Sequence, residues 1–123
     1  ATLERVDVDG FHEALGASSE RLLAGLRDAA ADAGVPIHTD HAGGMFGFVF
    51  SDSDRVTTFQ DICNAAVEYF KRFFHAMLSR DVYLAPSAFE AGFISAAHTT
   101  ADINATIDRA RDAMRELAGT AAA

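Results

Sequence analysis

Three long segments of the chain carry apolar residues at every third or fourth position, which is the spacing of an amphipathic helix. The first segment ends at Gly34, because glycine caps helices and the following Val35-Pro36 pair disfavours helical geometry. The second covers residues 65–80, and the third begins after Thr99 and Asp102, which have the spacing of a capping box. We therefore predict three helices, with apolar faces made of Leu15, Leu22, Leu26, Ala29 and Ala33, of Val67, Phe70, Phe73, Phe74, Met77 and Leu78, and of Ile103, Ile107, Ala110, Met114 and Leu117.

The residues between the first two predicted helices show a different pattern. Ile37–Ala42 and Met45–Phe50 are extended runs separated by Gly43-Gly44, a pair that permits the positive φ of a tight turn. We predict a β-hairpin. The second of its strands is apolar on both faces apart from the bare Gly47, so both faces should be covered, one of them by the helices.

Two further short strands, at residues 82–84 and 93–95, are predicted on either side of a loop at residues 85–92. The order helix, hairpin, helix, two short strands and helix is typical of an α+β fold. We predict a two-layer small domain, with an antiparallel or mixed sheet of about four strands and three helices on one face. No internal repeat or linker divides the chain, so residues 1–123 are predicted to form a single domain.

The composition narrows the range of partners. The net charge is −8 and no basic face is visible, which argues against nucleic-acid binding, because that requires concentrated positive charge. The apolar runs are too short for a membrane span and no secretory signal is visible, so we expect a cytoplasmic protein that does not bind membranes. Cys63 is the single cysteine, and we expect its thiol to be buried or inert.

Candidate metal and phosphate sites are weak in this sequence. His38 and His41 lie three residues apart in a predicted strand, where their side chains point to opposite faces and cannot bind one ion together. Gly43, Gly44 and Gly47 lie between or within strands, whereas phosphate-binding loops join a strand to a helix N-terminus. We therefore predict no metal site and no cofactor-binding residue in this chain.

Glu90 is the residue that the hydrophobic pattern explains least, because the run from Val82 to Phe93 is otherwise almost wholly apolar. Burial of an unpaired carboxylate is costly, so Glu90 is either satisfied by a partner or exposed in a cleft. Residue chemistry alone favours a carboxylate at a strand end that is solvated or paired with an arginine of the same domain.

The same run resembles a known family. The segment Val82-Tyr83-Leu84-Ala85-Pro86-Ser87-Ala88-Phe89-Glu90-Ala91-Gly92-Phe93, with His98-Thr99 after it and residues 70–78 before it, is similar to the C-terminal end of glutamate-1-semialdehyde 2,1-aminomutase, a pyridoxal-phosphate enzyme of the class III aminotransferase group. The resemblance extends more loosely over essentially the whole chain. Two positions depart from the family pattern: Asp81 stands where a helix-ending glycine is common, and Ala88 stands where glutamine is common.

The resemblance implies a function for the complete enzyme. Enzymes of this family are homodimers that isomerise (S)-4-amino-5-oxopentanoate to 5-aminolevulinate for tetrapyrrole (porphyrin) synthesis, by amino transfer that uses pyridoxal 5′-phosphate and pyridoxamine 5′-phosphate. The chain would then be the C-terminal small domain. The Schiff-base lysine would lie in a preceding large domain, so no catalytic residue is expected here and the chain alone should be inactive.

The resemblance also assigns roles within the loop. Glu90 would lie at the mouth of the active site and reach toward the substrate across the interface between the small and large domains, and Ser87 would help to shape the loop. The only lysine, Lys71, stands beside the apolar stripe of the second helix, and we expect it to be a surface residue. Two alternatives stay open: the small domain of another class III aminotransferase, and a free-standing α+β interaction or ligand-sensing module.

Overall fold

A computed structural model describes residues 1–121, which form five helices and three strands. In chain order the elements are α1 (Thr2–Val6), α2 (Phe11–Ala33), β1 (Ile37–Ala42), β2 (Met45–Phe50), α3 (Phe59–Cys63), α4 (Val67–Leu78), β3 (Gly92–Phe93) and α5 (Thr100–Ala121). The α+β class is confirmed, with the three predicted helices present as α2, α4 and α5. No helix within residues 1–121 combines the length and apolar character that a membrane crossing requires.

The predicted hairpin is confirmed, and it forms the centre of the sheet. β1 and β2 pair antiparallel from Ile37 opposite Phe50 to Ala42 opposite Met45, around a turn in which Gly43 has a φ of 57°. β3 pairs antiparallel with the other edge of β2, which gives the strand order β1-β2-β3. The sheet is therefore wholly antiparallel.

The prediction of about four strands was wrong, because residues 82–84 form no strand and the sheet has three. Residues 82–84 do not pair with β2, whose second edge pairs with β3 at Met45 and Phe46, and Val82 instead donates its N–H to the Met77 carbonyl at 3.0 Å as the chain leaves α4. Val82 and Leu84 pack against the core and Tyr83 is exposed, so the alternation that suggested a strand is real. It lacks a neighbouring strand to pair with.

The helices lie on one face of the sheet and enclose the core. Phe48 and Phe50 of β2 meet Phe73 of α4 with ring centroids 5.9 and 5.3 Å apart, and Leu22 and Leu26 of α2 belong to the same buried cluster. α5 packs against α2 and α4 rather than against the sheet. The α2–α5 contact is close at Gly25, where an added Cβ would lie 2.5 to 2.6 Å from atoms of the Ile107 side chain.

Local hydrogen bonds explain where the long helices begin and end. α2 ends at Gly34, whose φ of 71° is the left-handed conformation that glycine adopts without strain. The predicted capping box before α5 is confirmed: Thr99 donates its N–H to the Asp102 carboxylate at 2.8 Å, and Asp102 donates its N–H to Thr99 Oγ1 at 3.1 Å. The Thr99 N–H and hydroxyl hold the pKa of Asp102 below its ordinary value.

The sequence pattern did not predict α1, and for residues 56–64 it indicated no more than one short helical turn, which the structure shows as α3. α1 contains no buried residue, and α3 is held by Thr58, whose hydroxyl accepts from the Asp61 N–H at 3.3 Å. α3 ends at Cys63, which is an exposed free cysteine, so its thiol is not buried, and the expectation of an inert thiol stays a prediction. The hydrophobic pattern cannot indicate such short elements, because helices of about one turn show no periodicity.

Candidate functional site

A cleft separates β2 from the loop at residues 85–91, and it consists of two adjoining cavities of about 240 and 400 Å3. Gly47 and Phe48 of β2, together with Glu90 and Ala91 of the loop, line both cavities. Because these four residues border both spaces, they mark the gap between strand and loop. The sequence-predicted residue Glu90 therefore borders both cavities of the cleft.

The loop owes its shape to a turn around Ser87. Ser87 Oγ accepts a hydrogen bond from the Phe89 N–H at 3.2 Å, and the Ser87 carbonyl accepts one from the Glu90 N–H, also at 3.2 Å. At the start of the loop, Asp81 has a φ of 61°, the left-handed conformation that makes glycine common at this position in the family that the segment resembles. Asp81 thus makes the turn at some cost in strain.

The walls of the two cavities differ in chemistry. The smaller one, on the helix side, is lined by Phe70, Tyr83 and Phe93, and the Tyr83 ring meets Phe74 at 6.1 Å. The larger one lies over the outer face of the sheet. Its walls come from β1, β2, α3 and the loop: His38, Thr39, Asp40, Val49, Val56, Ile62, Ala88 and Phe89. The position of Ala88 shows that a longer side chain there would reach into the larger cavity or over its rim.

The carboxylate of Glu90 has no ion-pair partner within residues 1–121. Four other glutamates do pair: Glu4 with the N-terminal ammonium group, Glu20 with Arg27, Glu68 with Lys71 and Glu116 with Arg80. Glu90 is exposed, so the alternative in which an arginine of the same domain pairs with it is wrong, whereas a solvated carboxylate fits the structure. A carboxylate at an apolar rim without a counter-charge can accept hydrogen bonds from an ammonium group.

Gly92 ends the cleft and begins β3. It lies opposite Phe46, and an added Cβ at Gly92 would come within 2.3 to 2.8 Å of three atoms of the Phe46 ring. Phe46 is buried at 7% exposure, so its ring covers the glycine and cannot move into solvent without loss of packing. The close approach anchors the C-terminal end of the loop to β2.

Of the other candidate residues of the sequence, His38 lines the larger cavity, whereas Lys71 and His41 line neither cavity. Lys71 is a surface residue, as expected: its side chain is 60% exposed and its Nζ lies 2.6 Å from Glu68 Oε1. His38 Nε2 lies 2.7 Å from the Ser53 carbonyl, whereas His41 Nε2 lies 3.4 Å from Glu20 on the helix side of the sheet. The two histidines therefore point to opposite faces, as the strand period predicts.

Sequence reasoning missed half of the cleft. Gly47, Phe48, Tyr83 and Phe93 line it, and none of them was singled out as a site residue. The signal was present in β2, where a glycine interrupts an apolar strand and leaves open space beside it, since nothing lies within 4 Å of a Cβ added at Gly47. A glycine inside a strand often marks a close approach by a ligand or another backbone.

No family model matches the chain. Its fold is similar to parts of several solved proteins. The FumI protein of Sphingopyxis sp. MTA144, in its PLP (pyridoxal phosphate) internal aldimine form, matches 99% of this chain with a TM-score of 0.75 and 24% sequence identity. An omega-transaminase from Sphaerobacter thermophilus matches 90% of the chain with a TM-score of 0.71 and 19% identity. A transaminase with PLP bound matches 97% with a TM-score of 0.77 and 18% identity.

The chain spans about a quarter of the length of these proteins, namely 26%, 25% and 26%. At this level of identity the likeness shows the fold. The architecture described above, three antiparallel strands with helices on one face, is thus one that transaminases contain as a part of a longer chain.

Proposed function

We propose that this chain is the C-terminal small domain of a pyridoxal-phosphate-dependent enzyme of the aminotransferase type, and that the enzyme is a glutamate-1-semialdehyde 2,1-aminomutase. The observation that carries the proposal is the position of Glu90. The one acid in the run from Val82 to Phe93 lies in a cleft without an ion-pair partner in the described part of the chain. The similarity of the fold to transaminases over nearly the whole chain supports the broader part of the proposal.

The finer assignment rests on charge. The proposed reaction moves an amino group within one five-carbon skeleton, so substrate and product each carry one amine and a diamine lies between them. A fixed carboxylate can hold a protonated amine in place, because charge-assisted hydrogen bonds are strong and directional. Glu90 is positioned to do this from the rim of the cleft, and Ser87 fixes the turn that presents it.

We propose that this chain supplies no cofactor-binding residue of its own. Lys71 is exposed and bound to Glu68, and a nucleophilic lysine needs desolvation or a neighbouring cation that lowers its pKa. We propose that a large domain outside this chain holds the pyridoxal phosphate, which supplies the electron-withdrawing chemistry of amino transfer when bound. This chain would supply one wall of the active site, in a homodimeric cytoplasmic enzyme.

The outer face of the sheet supports the proposal of a covering domain. Phe93 is 71% exposed there and its pair Met45 is 44% exposed, and Phe89, which meets Phe59 of α3, is 52% exposed. Soluble proteins seldom leave several large apolar side chains together in water unless a partner covers them. We propose that the large domain or the second subunit packs on this face and closes the cleft over the substrate.

The decisive experiment uses the gene product that contains this sequence, purified with pyridoxal phosphate and assayed for conversion of glutamate-1-semialdehyde to 5-aminolevulinate. The Glu90→Gln variant keeps the size of the side chain and removes its charge. We expect kcat/KM to fall by about 10- to 1000-fold, equivalent to roughly 1.4 to 4 kcal/mol of transition-state stabilisation. The free energy of unfolding should change by less than about 1 kcal/mol, since the side chain is exposed.

Glu68→Gln is the matched control, because Glu68 is an exposed glutamate on α4 that contacts Lys71 and not the cleft. It should leave kcat/KM unchanged. A wild-type enzyme that makes no 5-aminolevulinate would refute the aminomutase assignment. A Glu90→Gln enzyme with normal kinetics but a large loss of stability would show that the role of Glu90 is structural.

A second candidate function is the small domain of another aminotransferase, which the similarity to an omega-transaminase and a PLP-bound transaminase fits equally well. The same purified enzyme distinguishes the two. Amino transfer between a separate amine donor and a separate keto or aldehyde acceptor, without isomerisation of glutamate-1-semialdehyde, would favour this alternative. An aminomutase should convert its single substrate without a second amine.

A further inference from the structure

The alternation of hydrogen bonds along β2 leaves the main-chain N–H and C=O of Phe48 without a partner strand. Bonded pairs alternate in an antiparallel ladder. Between β1 and β2 the phase is set by the bond from the Ser51 N–H to the Pro36 carbonyl, just beyond the strand ends. Because every second pair from Pro36–Ser51 onward is hydrogen-bonded, Asp40 and Gly47 form a bonded pair. Phe48 is opposite Thr39 in a non-bonded pair. The Phe48 N–H and C=O therefore point away from β1, towards the cleft.

The hydrogen bonds between β2 and β3 show which residue would pair with Phe48 if β3 were longer. The Ile94 N–H donates to the Gly44 carbonyl at 2.7 Å, so Phe46 and Gly92 form the next bonded position. The ladder stops there. Its next two positions would pair Gly47 with Ala91 and Phe48 with Glu90. These four residues are the ones that line both cavities.

We propose that residues 90–91 can close onto β2 as an extension of β3, with Glu90 hydrogen-bonded to Phe48, and that the negative charge of Glu90 holds this extension open in the free chain. Closure exchanges the hydrogen bond from the Glu90 N–H to the Ser87 carbonyl for ladder bonds to the main chain of Phe48. It also pairs backbone groups that the open form leaves to water.

The charge dependence follows from the strand geometry. Residues opposite each other in an antiparallel ladder share a face, so closure directs the Glu90 side chain to the face of Phe46 and Phe48, beside Phe70 and Tyr83. An ionised carboxylate in that apolar space is unfavourable without a counter-charge. A neutral side chain removes this penalty, and a ligand ammonium group bound in the cleft offsets it. The strand extension itself does not depend on the proposed enzyme activity.

Nuclear magnetic resonance of the labelled 123-residue chain tests the proposal directly. Gly47 and Ala91 would form a non-bonded pair with Cα atoms about 4.5 Å apart, a geometry that gives a strong nuclear Overhauser effect between their α-protons. The equivalent signal between Met45 and Phe93, which are already paired, is the internal reference for a folded sheet. We expect the Gly47–Ala91 signal to be weak in the wild type and strong in Glu90→Gln.

Amide hydrogen exchange gives the second measurement. The Phe48 N–H should exchange at least about tenfold more slowly in Glu90→Gln than in the wild type, because the ladder bond protects it. Glu68→Gln removes a charge outside the cleft and should change neither signal. Ser87→Ala removes the hydroxyl that accepts from Phe89 and should also raise the closed population. The proposal is overturned if Glu90→Gln keeps the Met45–Phe93 reference but shows neither the Gly47–Ala91 signal nor slower Phe48 exchange.

Discussion

The two faces of β2 have nearly the same apolar character and opposite surroundings. On the helix side, Phe46 and Phe50 are 7% and 2% exposed and meet a layer of aromatic and aliphatic side chains. On the outer side, Met45 is 44% exposed and its neighbour Phe93 is 71% exposed. The helix face stabilises the fold by burial, whereas the outer face contributes little until something covers it. With the proposed covering domain in place, the outer face would be an interaction surface, whereas the helix face supplies stability.

The largest test of this comparison replaces one phenylalanine on each side. Phe73 is fully buried against β2, and Phe73→Ala should lower the free energy of unfolding by about 3 to 5 kcal/mol through lost transfer and cavity terms. Phe93→Ala on the outer face should change it by less than about 1 kcal/mol, and should reduce binding of a hydrophobic dye. Urea denaturation measures both. Equal losses for the two variants would show that the outer face is part of the core.

Two glycines of α2 test the helix layer in the same way. Gly25→Ala places a methyl group against Ile107 and should destabilise the protein by about 1 to 3 kcal/mol, because a packed helix contact resists added volume. Gly16→Ala, in the same helix with nothing within 4 Å of the added Cβ, should stabilise it by up to about 1 kcal/mol through helix propensity. Thermal denaturation of the pair gives the comparison, and stabilisation by Gly25→Ala would contradict the close α2–α5 contact.

Asp81 lies between α4 and the loop at residues 85–91, and relief of its backbone strain should change the free energy of unfolding less than Gly25→Ala does. Asp81→Gly should stabilise the chain by a few tenths to about 1 kcal/mol, since relief of the left-handed conformation is partly offset by glycine's greater freedom when unfolded. Gly34→Ala is the inverse control at a φ of 71°, and it should destabilise by about 1 kcal/mol. Chemical denaturation measures both. A destabilising Asp81→Gly change would indicate that the carboxylate makes a contact worth more than the strain.

The capping box at the start of α5 should make the stability of the protein depend on pH. Hydrogen bonds from Thr99 lower the pKa of Asp102, so the ionised carboxylate stabilises the fold above its ordinary pKa, and this stabilisation is lost as the pH falls through the lowered value. The wild type should therefore be more stable than Asp102→Asn at neutral pH, and the gap should close below about pH 4. Melting temperatures across this range test it, with the exposed Asp112→Asn as control. A gap that persists in acid would show that the carboxylate charge is not its source.

Much of the fold could be predicted because its signals are local. The turn at Gly43-Gly44, the helix stop at Gly34 and the Thr99–Asp102 capping box each depend on residues close together in the chain, and all three are confirmed. The number of strands was not predictable in this way. Val82 and Leu84 alternate with Tyr83 as a strand would, but a strand also needs a partner edge, which only the folded chain reveals.

The site was predictable only in part, for a similar reason. Glu90 could be identified because it is an acid in an apolar run, and the structure places it in a cleft. Its substrate role stays a prediction. The opposite wall at Gly47 and Phe48 comes from a strand about forty residues earlier, and the link between wall and loop is the register of β2 with β3. Register is set by tertiary pairing, so the pattern of one segment cannot supply it.

The contact between Gly92 and the Phe46 ring has a consequence for evolution. Because any Cβ at position 92 would overlap that ring, a mutation to alanine there is tolerated only after position 46 has lost bulk. The two positions should accordingly change as a pair among descendants of the same ancestor. Lineages that keep phenylalanine at 46 are then expected to keep glycine at 92, however far the rest of their sequences have diverged.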